Sequence, residues 1–143
     1  MVAQLVPEVR LIRTWDSGQI VALYRAGGWW KDEYTPEGIP DLIKGSFLFA
    51  VAIDTATGTA IGMGRVISDG VSDGYIQDLI VLPEYRRSGI GRKILLLLIH
   101  TCREKGINWI GLISQPGCDE FYRDLGFARM EGFIPLLYER DPG

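Results

Sequence analysis

Residues 83–99 form the stretch PEYRRSGIGRKILLLLI, which decides how the chain can fold. Four basic residues, two glycines and one acidic residue lie ahead of a run of aliphatic side chains. Pro83 cannot donate to a sheet ladder, so we expect the strand before it to end there. Apolar residues at helical spacing after Ile90 predict a helix that Gly106 closes. The stretch therefore marks a junction of strand, cationic glycine-rich loop and helix.

The segments around this junction predict a pair of parallel strands. YIQDLIVL (75–82) precedes it and INWIGLIS (107–114) follows the helix, as in a right-handed crossover between parallel strands. Earlier, SFLFAVAID (46–54) and TAIGMGRVIS (59–68) flank the turn TATG and predict an antiparallel hairpin. Parallel strands next to antiparallel ones create a place where two strands splay apart, the usual position of a ligand in such sheets.

The other elements complete an α/β fold. In chain order they are a strand over 9–14, a helix from Asp16 or Ser17 to Gly27, a helix over 39–44, a helix over 118–125, and one or two strands up to Tyr138. We expect one domain over residues 1–143. It should contain a mixed, mostly antiparallel sheet of six or seven strands, splayed at the central parallel pair, with helices on both faces.

Composition limits the classes of function. A net charge of -3 argues against a nucleic-acid partner, which requires a basic field over one face. The longest aliphatic run, 94–99, is far short of the roughly 20 residues that cross a bilayer, so no membrane partner is expected. No secretory signal is visible, and a cytoplasmic protein is expected. One histidine and two cysteines without zinc spacing offer no basis for a metal site.

The glycine-rich loop has the chemistry of an anion site. Gly89 and Gly91 expose backbone N–H groups at the start of a helix, where the partial charge is positive, and Arg86 and Arg87 can add bidentate contacts. Several donors suit a diphosphate better than a carboxylate. The spacing excludes a Walker loop, and it excludes a dinucleotide fingerprint, which would need glycine at Ile94. Taken alone, the pattern also fits a solvated turn ahead of a helix.

Two separated motifs resemble one known family. DLIVLPEYRRSGIG (78–91) resembles the Arg/Gln-x-x-Gly-x-Gly/Ala signature of the GCN5-related N-acetyltransferase (GNAT) superfamily, with Arg86, Gly89 and Gly91 on the signature positions. FYRDLGF (121–127) resembles the closing helix and exit turn of that family. The resemblance covers the C-terminal two thirds of the chain. It implies an acetyl-CoA-dependent enzyme that transfers acetyl directly to a primary amine without a metal.

The resemblance also implies where acetyl-CoA binds. Backbone groups of Leu79, Ile80 and Val81 are expected to pair with the pantetheine arm in the splay between the parallel strands. The residues expected at the pyrophosphate are Arg86, Arg87, Ser88, Gly89, Ile90, Gly91 and Arg92. Arg92 could equally face solvent.

Acyl transfer to an amine requires a proton donor for the departing thiolate and stabilisation of an oxyanion. By family position, Tyr122 is the candidate acid, because a phenol with a reference pKa of about 10 stays protonated at neutral pH. The alternative is a half-buried aromatic side chain on a short helix. A backbone N–H near Ile80 is the candidate oxyanion donor.

The identity of the general base stays open. Regular alternation would place Tyr75, Gln77 and Leu79 on one face of their strand and Ile76, Asp78 and Ile80 on the other. Gln77 lies where several family members carry a titratable residue, but an amide cannot act as a base. A bulge could bring Asp78 to the site, or a water chain could lead to Asp69 or Asp73. Equally, Asp78 could serve only to cap backbone groups.

The acceptor is expected over the irregular segment WWKDEYTPEGIP (29–40). Trp29, Trp30 and Tyr34 could form an aromatic pocket, with Tyr75 as a further contact, or the tryptophans could seal the core. ISDGVSDGYIQDLIVLP (67–83) resembles the plastid serotonin-type acetyltransferases, which implies an aromatic or arylalkyl small-molecule amine. A protein or peptide amine and a non-catalytic CoA sensor are the alternatives. A homodimer through FIPLLYE (133–139) is also expected, because dimers are common in the family.

Overall fold

The structure is a computed structural model that describes residues 7–139. Its contacts divide the chain into two compact units, one up to Leu112 and one from Ile113 onward. In chain order the first unit contains β1 (Glu8–Leu11), α1 (Ser17–Ala26), α2 (Ile39–Gly45), β2 (Leu48–Asp54), β3 (Thr59–Ile67), β4 (Asp73–Val81), α3 (Ile90–Glu104) and β5 (Trp109–Leu112). The second unit contains α4 (Asp119–Arg123). Over residues 7–139, none of the helices has the length and apolar character needed to cross a membrane.

The sheet has five strands in the spatial order β1-β2-β3-β4-β5. Neighbours from β1 to β4 are antiparallel, whereas β4 and β5 are parallel and are joined through α3. The predicted hairpin and the predicted parallel pair are therefore confirmed. The parallel ladder joins only Asp73–Ile76 to Trp109–Leu112, and β4 continues to Val81 beyond it. The second half of β4 thus has β3 on one side and no β5 on the other.

The expectation of six or seven strands is wrong, because the described chain has five. Residues 127–139 contain no strand, and the backbone bond there is a turn from the Phe133 N–H to the Met130 carbonyl, at 3.1 Å. Pro135 removes a donor from the middle of the segment, and no strand of the second unit's described residues offers a ladder. The side chains of Phe133 and Tyr138 are exposed.

One face of the sheet is covered by α1 and α2. Asp16, one of the two residues expected at the start of α1, caps it, since its carboxylate accepts from the Gln19 N–H at 2.9 Å. Gly27 follows the last residue of the helix, as predicted. Ile20 and Leu23 of α1 are fully buried in a cluster with apolar side chains of α2, β2 and β3. This face also carries the partly buried Trp29 and Trp30.

The opposite face is covered by α3, which packs unusually close to the strands. A Cβ placed on Gly64 would lie 3.0 Å from Ile94 and 3.2 Å from Leu98, both buried residues of α3. Gly62 is equally crowded, with Ile94 at 3.1 Å. These positions need glycine because only hydrogen leaves room for the helix. Helices therefore lie on both faces, as predicted.

Gly64→Ala is expected to destabilise the protein, because an added methyl group must push α3 away from the sheet. We expect a loss of about 1–3 kcal/mol in the free energy of unfolding, measured by urea denaturation. Gly45→Ala is the matched control, since nothing lies within 4 Å of its Cβ position at the end of α2. Alanine there should leave stability unchanged or raise it by up to about 1 kcal/mol. Equal stability of the two variants would contradict close packing of α3.

Candidate active site

The free edge of β4 ends at the glycine-rich loop. The Leu82 N–H donates to the Ile61 carbonyl on β3 at 2.9 Å. The N–H and C=O of one trans peptide point in opposite directions, so the Val81 carbonyl points away from β3. Arg86 donates to that carbonyl through Nε at 2.8 Å. Arg86, which was predicted to bind phosphate, therefore hydrogen-bonds to the last residue of β4, the strand that was predicted to bind pantetheine.

The peptide between Ile80 and Val81 has the reverse orientation. The Ile80 carbonyl lies on the β3 side, 3.2 Å from the position that a Cβ on Gly62 would occupy. The Val81 N–H, which belongs to the same peptide, therefore points to the free edge. The donor predicted near Ile80 corresponds in this geometry to the Val81 N–H.

A β-bulge interrupts β4 just before these peptides. The register between β3 and β4 shifts at Gly64, which has both Asp78 and Leu79 opposite it. Asp78 has a left-handed backbone, with φ of 60°. An extra residue in one strand bends it and changes which side chains face each side of the sheet. The predicted bulge is present, and it falls on Asp78.

The expected regular alternation along β4 is wrong beyond Gln77, because of this extra residue. Gln77 and Asp78 both hydrogen-bond to Arg65 and therefore lie on the same face, toward α1 and α2. Leu79 turns to the α3 face, where its Cδ1 lies 3.2 Å from the Cβ position of Gly64. Ile80 returns to the α1 face and packs against its apolar cluster.

A partly buried polar cluster holds the bulge. The Asp78 Oδ2 atom accepts from the Tyr24 hydroxyl at 2.7 Å and from Arg65 Nε at 2.6 Å. The Arg65 guanidinium also donates to Gln77 at 3.0 Å and to Ser46 at 3.4 Å. The exposed fractions of the Arg65 and Asp78 side chains are 16% and 19%. A hydrogen bond to a charged group contributes about 1.5–3 kcal/mol, which offsets a left-handed backbone cost of roughly 1–2 kcal/mol.

Tyr24, Arg65 and Ser46 were not predicted as members of this cluster. A signal was available, since Arg65 is the one charged residue in the strand TAIGMGRVI. A charge in an otherwise buried strand needs a partner. Tyr24 gave no such signal, because a tyrosine on the apolar side of an amphipathic helix resembles an ordinary core residue.

The loop before α3 presents unpaired donors and cations. Arg87 and Gly89 have left-handed backbones, with φ of 65° and 82°, and no side chain caps the first turn of α3. A left-handed residue beside right-handed ones turns successive N–H groups toward one concave side. In the part of the chain that the structure describes, no carboxylate pairs with Arg87, Arg92 or Lys93. The loop therefore keeps its positive charge available.

Two hydrogen bonds that the sequence did not predict anchor this loop. The Tyr85 hydroxyl donates to the carboxylate of the buried Asp54 at 2.9 Å, and the Ser88 hydroxyl donates to the Tyr85 carbonyl at 2.5 Å. The hydrogen bond to Asp54 raises the pKa of Tyr85. Ser88 thus directs its hydroxyl into the loop itself.

The predicted acceptor residues divide between core and surface. Trp29 packs edge to face on the buried Tyr24, with ring centroids 6.2 Å apart, and its ring lies against Gly27. Trp30 packs in the same way on Tyr34, at 5.6 Å, and Tyr34 is 47% exposed. Tyr75 is half-buried on β4. Trp29 therefore fits the core-sealing alternative, and Trp30 with Tyr34 forms an accessible aromatic pair.

Two other candidates have environments of their own. Tyr122, in the second unit, is half-buried between Phe121 and Phe127, with centroids 5.1 Å and 5.9 Å away. Burial, and then the nearby Cys118, raise the pKa of Tyr122, which keeps its phenol protonated. Asp69 accepts the backbone N–H groups of Ser72 and Val71, and these bonds lower its pKa. Asp69 is thus a turn residue with weak basicity.

The free energy of unfolding should fall at alkaline pH because of the buried Tyr24 phenol. Burial, and then the Asp78 charge, raise the pKa of Tyr24 far above its ordinary value. A phenol with a raised folded-state pKa stabilises the protein fully below the unfolded value of about 10, and this contribution is lost as the pH rises further. We expect urea denaturation between pH 8 and 11 to show a steeper loss for the wild type than for Tyr24→Phe. Identical slopes would contradict burial of the Tyr24 phenol.

Both the sequence and the fold resemble those of known proteins. The model of the acetyltransferase (GNAT) family matches residues 11–127. Chloroplastic serotonin N-acetyltransferase 2 of rice (Oryza sativa subsp. japonica) is 34% identical over 74 residues, which are 52% of this chain and 37% of that protein. A histone acetyltransferase of soybean (Glycine max) is 39% identical over 79 residues, which are 54% of this chain and 34% of that protein. The matched part therefore spans little more than a third of these curated relatives.

The fold has close counterparts among solved structures. A GNAT family acetyltransferase of Streptococcus pneumoniae superposes with a TM-score of 0.79 at 24% identity, over 94% of this chain and 98% of that one. This likeness concerns the fold. Together with the family match over residues 11–127 and the two sequence motifs, it leads to one conclusion: the chain belongs to the GNAT acetyltransferase family.

Proposed function

We propose that the protein is an acetyl-CoA-dependent N-acetyltransferase that transfers acetyl directly to a primary amine of a small molecule, with an aromatic or arylalkyl amine as the favoured acceptor. The observation that carries the proposal is the free edge of β4, which runs from the bulge at Asp78 into the uncapped start of α3. An extended ligand with a diphosphate at one end suits this arrangement.

The residues of the edge and the loop fit acetyl-CoA. The free edge of β4 offers its backbone to the pantetheine arm in the way that a neighbouring strand would. The left-handed Gly89 and the uncapped first turn of α3 leave backbone donors for phosphate oxygens, and Arg87 and Arg92 supply charge. Acetyl-CoA, when bound, supplies an activated thioester. The chain supplies the donors that orient it.

Gly89→Ala should weaken binding of CoA selectively. The variant strains a backbone with φ of 82° and moves the N–H donors at the start of α3. We expect the dissociation constant for CoA, measured by calorimetry, to rise about tenfold, equivalent to about 1.4 kcal/mol. The KM for acetyl-pantetheine, which lacks the diphosphate, should stay unchanged.

Gly106→Ala is the matched control for this experiment. Gly106 follows the other end of α3, has a similar φ of 86° and has nothing within 4 Å of its Cβ position. It should share any loss of stability without a loss of CoA affinity. An equal effect of Gly89→Ala on CoA and on acetyl-pantetheine would contradict a diphosphate site in this loop.

Tyr122 is proposed as the acid that protonates the departing thiolate. Its phenol is half-buried and its raised pKa keeps the proton at neutral pH, while a thiol has an ordinary pKa of about 8.5. The phenol is expected to donate to sulfur only in the transition state, as sulfur gains negative charge. Its removal should therefore lower kcat more than it raises the KM for acetyl-CoA. A backbone donor at the free edge, such as the Val81 N–H, is proposed to stabilise the oxyanion.

The aromatic residues favour a small aryl acceptor. Trp30 and Tyr34 form an edge-to-face pair in which Tyr34 is exposed, and rings in this arrangement offer a face for another ring or for an ammonium group. A relative named for serotonin acetylation supports the same class. A relative named for histone acetylation supports a protein amine as the second candidate.

A thiol-release assay across aryl amines, polyamines and lysine peptides tests the proposed function. We expect the highest kcat/KM with arylalkyl amines, and a kcat that falls about tenfold or more in Tyr122→Phe. Tyr138→Phe is the control, because this tyrosine is 89% exposed. Preference for lysine peptides would favour the protein acceptor. CoA binding without turnover of any amine, and without an effect of Tyr122→Phe, would favour a sensor domain.

A further inference from the structure

We propose that Asp78 is a positioning residue, which Tyr24 and Arg65 lock in its bulge so that the free edge of β4 presents its donors in the correct place for the thioester. We call these three residues the bulge clamp. The proposal rests on the proposed function and deepens it, because it assigns to Asp78 a role other than that of the general base.

The first argument is the position of the bulge. Asp78 lies between the half of β4 that pairs with β5 and the half that does not. Its extra residue decides which groups of Leu79 and Val81 face the free edge. Without the bulge, each later side chain and peptide of β4 would point to the opposite side. The geometry of the free edge therefore depends on keeping Asp78 in its left-handed conformation.

The second argument is the engagement of one carboxylate oxygen by two donors. Both hydrogen bonds to Asp78 end on the same oxygen, Oδ2, and one donor is a guanidinium. Gln77, the other catalytic candidate on β4, accepts from the same guanidinium. A base must direct a lone pair at the acceptor amine, and the lone pairs of Oδ2 are already occupied by Tyr24 and Arg65. Side chains already engaged by Arg65 are better suited to hold a strand than to remove a proton.

The third argument is that the bulge clamp joins three elements. Tyr24 is on α1, Arg65 on β3 and Asp78 on β4. Tyr24 is only 7% exposed and supports the Trp29 ring, so it cannot turn away without disturbing the core. The hydrogen bond from Tyr24 therefore links the bulge in β4 to α1, which precedes the proposed acceptor segment. A substitution at Tyr24 should change the conformation of β4.

Substitution of Asp78 separates a positioning role from a basic one. Asparagine tolerates the left-handed conformation and keeps an oxygen for Tyr24 and Arg65. We expect Asp78→Asn to keep kcat within about fivefold and to leave the pH–rate profile unchanged, whereas Asp78→Ala should lose about tenfold or more. If Asp78 is the base, Asp78→Asn should instead lower kcat about 10²–10⁴-fold and remove the acid-side limb of the pH–rate profile, which reports protonation of the base. That result would overturn the proposal.

Tyr24→Phe tests the bulge clamp first by hydrogen exchange, which does not depend on catalysis, and then by kcat. Loss of one hydroxyl should speed amide hydrogen exchange at Leu79 and Val81 about tenfold, relative to amides of β2, as measured by nuclear magnetic resonance. The kcat should fall about tenfold while the calorimetric dissociation constant for CoA changes less than about threefold. Arg65→Lys, which keeps the charge but cannot bridge the same partners, should behave like Tyr24→Phe. Arg10→Lys, at an exposed ion pair, is its control.

The outcomes distinguish the two proposals. Faster exchange at Leu79 and Val81 together with a selective fall in kcat supports the bulge clamp. Unchanged exchange in a chain that binds CoA overturns the clamp and leaves the proposed function intact. A wild-type chain that binds no CoA overturns the proposed function and the catalytic part of the clamp, whereas the exchange data still decide whether the clamp shapes β4.

Discussion

The carboxylate of Asp78, held by a buried tyrosine hydroxyl and a guanidinium, is the interaction on which the site depends. A left-handed aspartate in the middle of a strand is unfavourable by itself, and its side-chain bonds offset that cost. The resulting bulge changes the orientation of β4 after Asp78 relative to the part of the strand before it. In this way one local conformation sets the donors along the whole free edge.

Much of the fold followed from hydrophobic spacing and turn residues. The start of α1 at Asp16 or Ser17, the hairpin around TATG, the crossover through α3 and the parallel pair were all predicted, since each depends on a few adjacent residues. The strands expected after residue 127 are absent from the described residues, because a strand requires a ladder partner, which local sequence does not reveal. FIPLLYE has strand-like side chains but contains Pro135 and no pairing in the described residues of its unit.

The motif of the proposed site was visible in the sequence, whereas the side chains that hold the bulge at Asp78 were not. Gly89 and Arg86 stood out because their spacing is rare, whereas the partners of Asp78 lie 54 and 13 residues away in the chain. The predicted alternation of side chains along β4 was wrong beyond Gln77 for a related reason. A bulge on a non-glycine residue leaves little trace in the sequence, and a single inserted residue reverses every later side chain.

The glycines beneath α3 have a consequence for how such a protein can change. A Cβ on Gly62 would crowd Ile94, and a Cβ on Gly64 would crowd Ile94 and Leu98, so neither position accepts a larger residue unless α3 moves. Substitution is easier on the other face, where side chains of α1 and the aromatic segment can be exchanged. Under the proposed function, selectivity for the amine could therefore be engineered on that face without rebuilding the packing of α3.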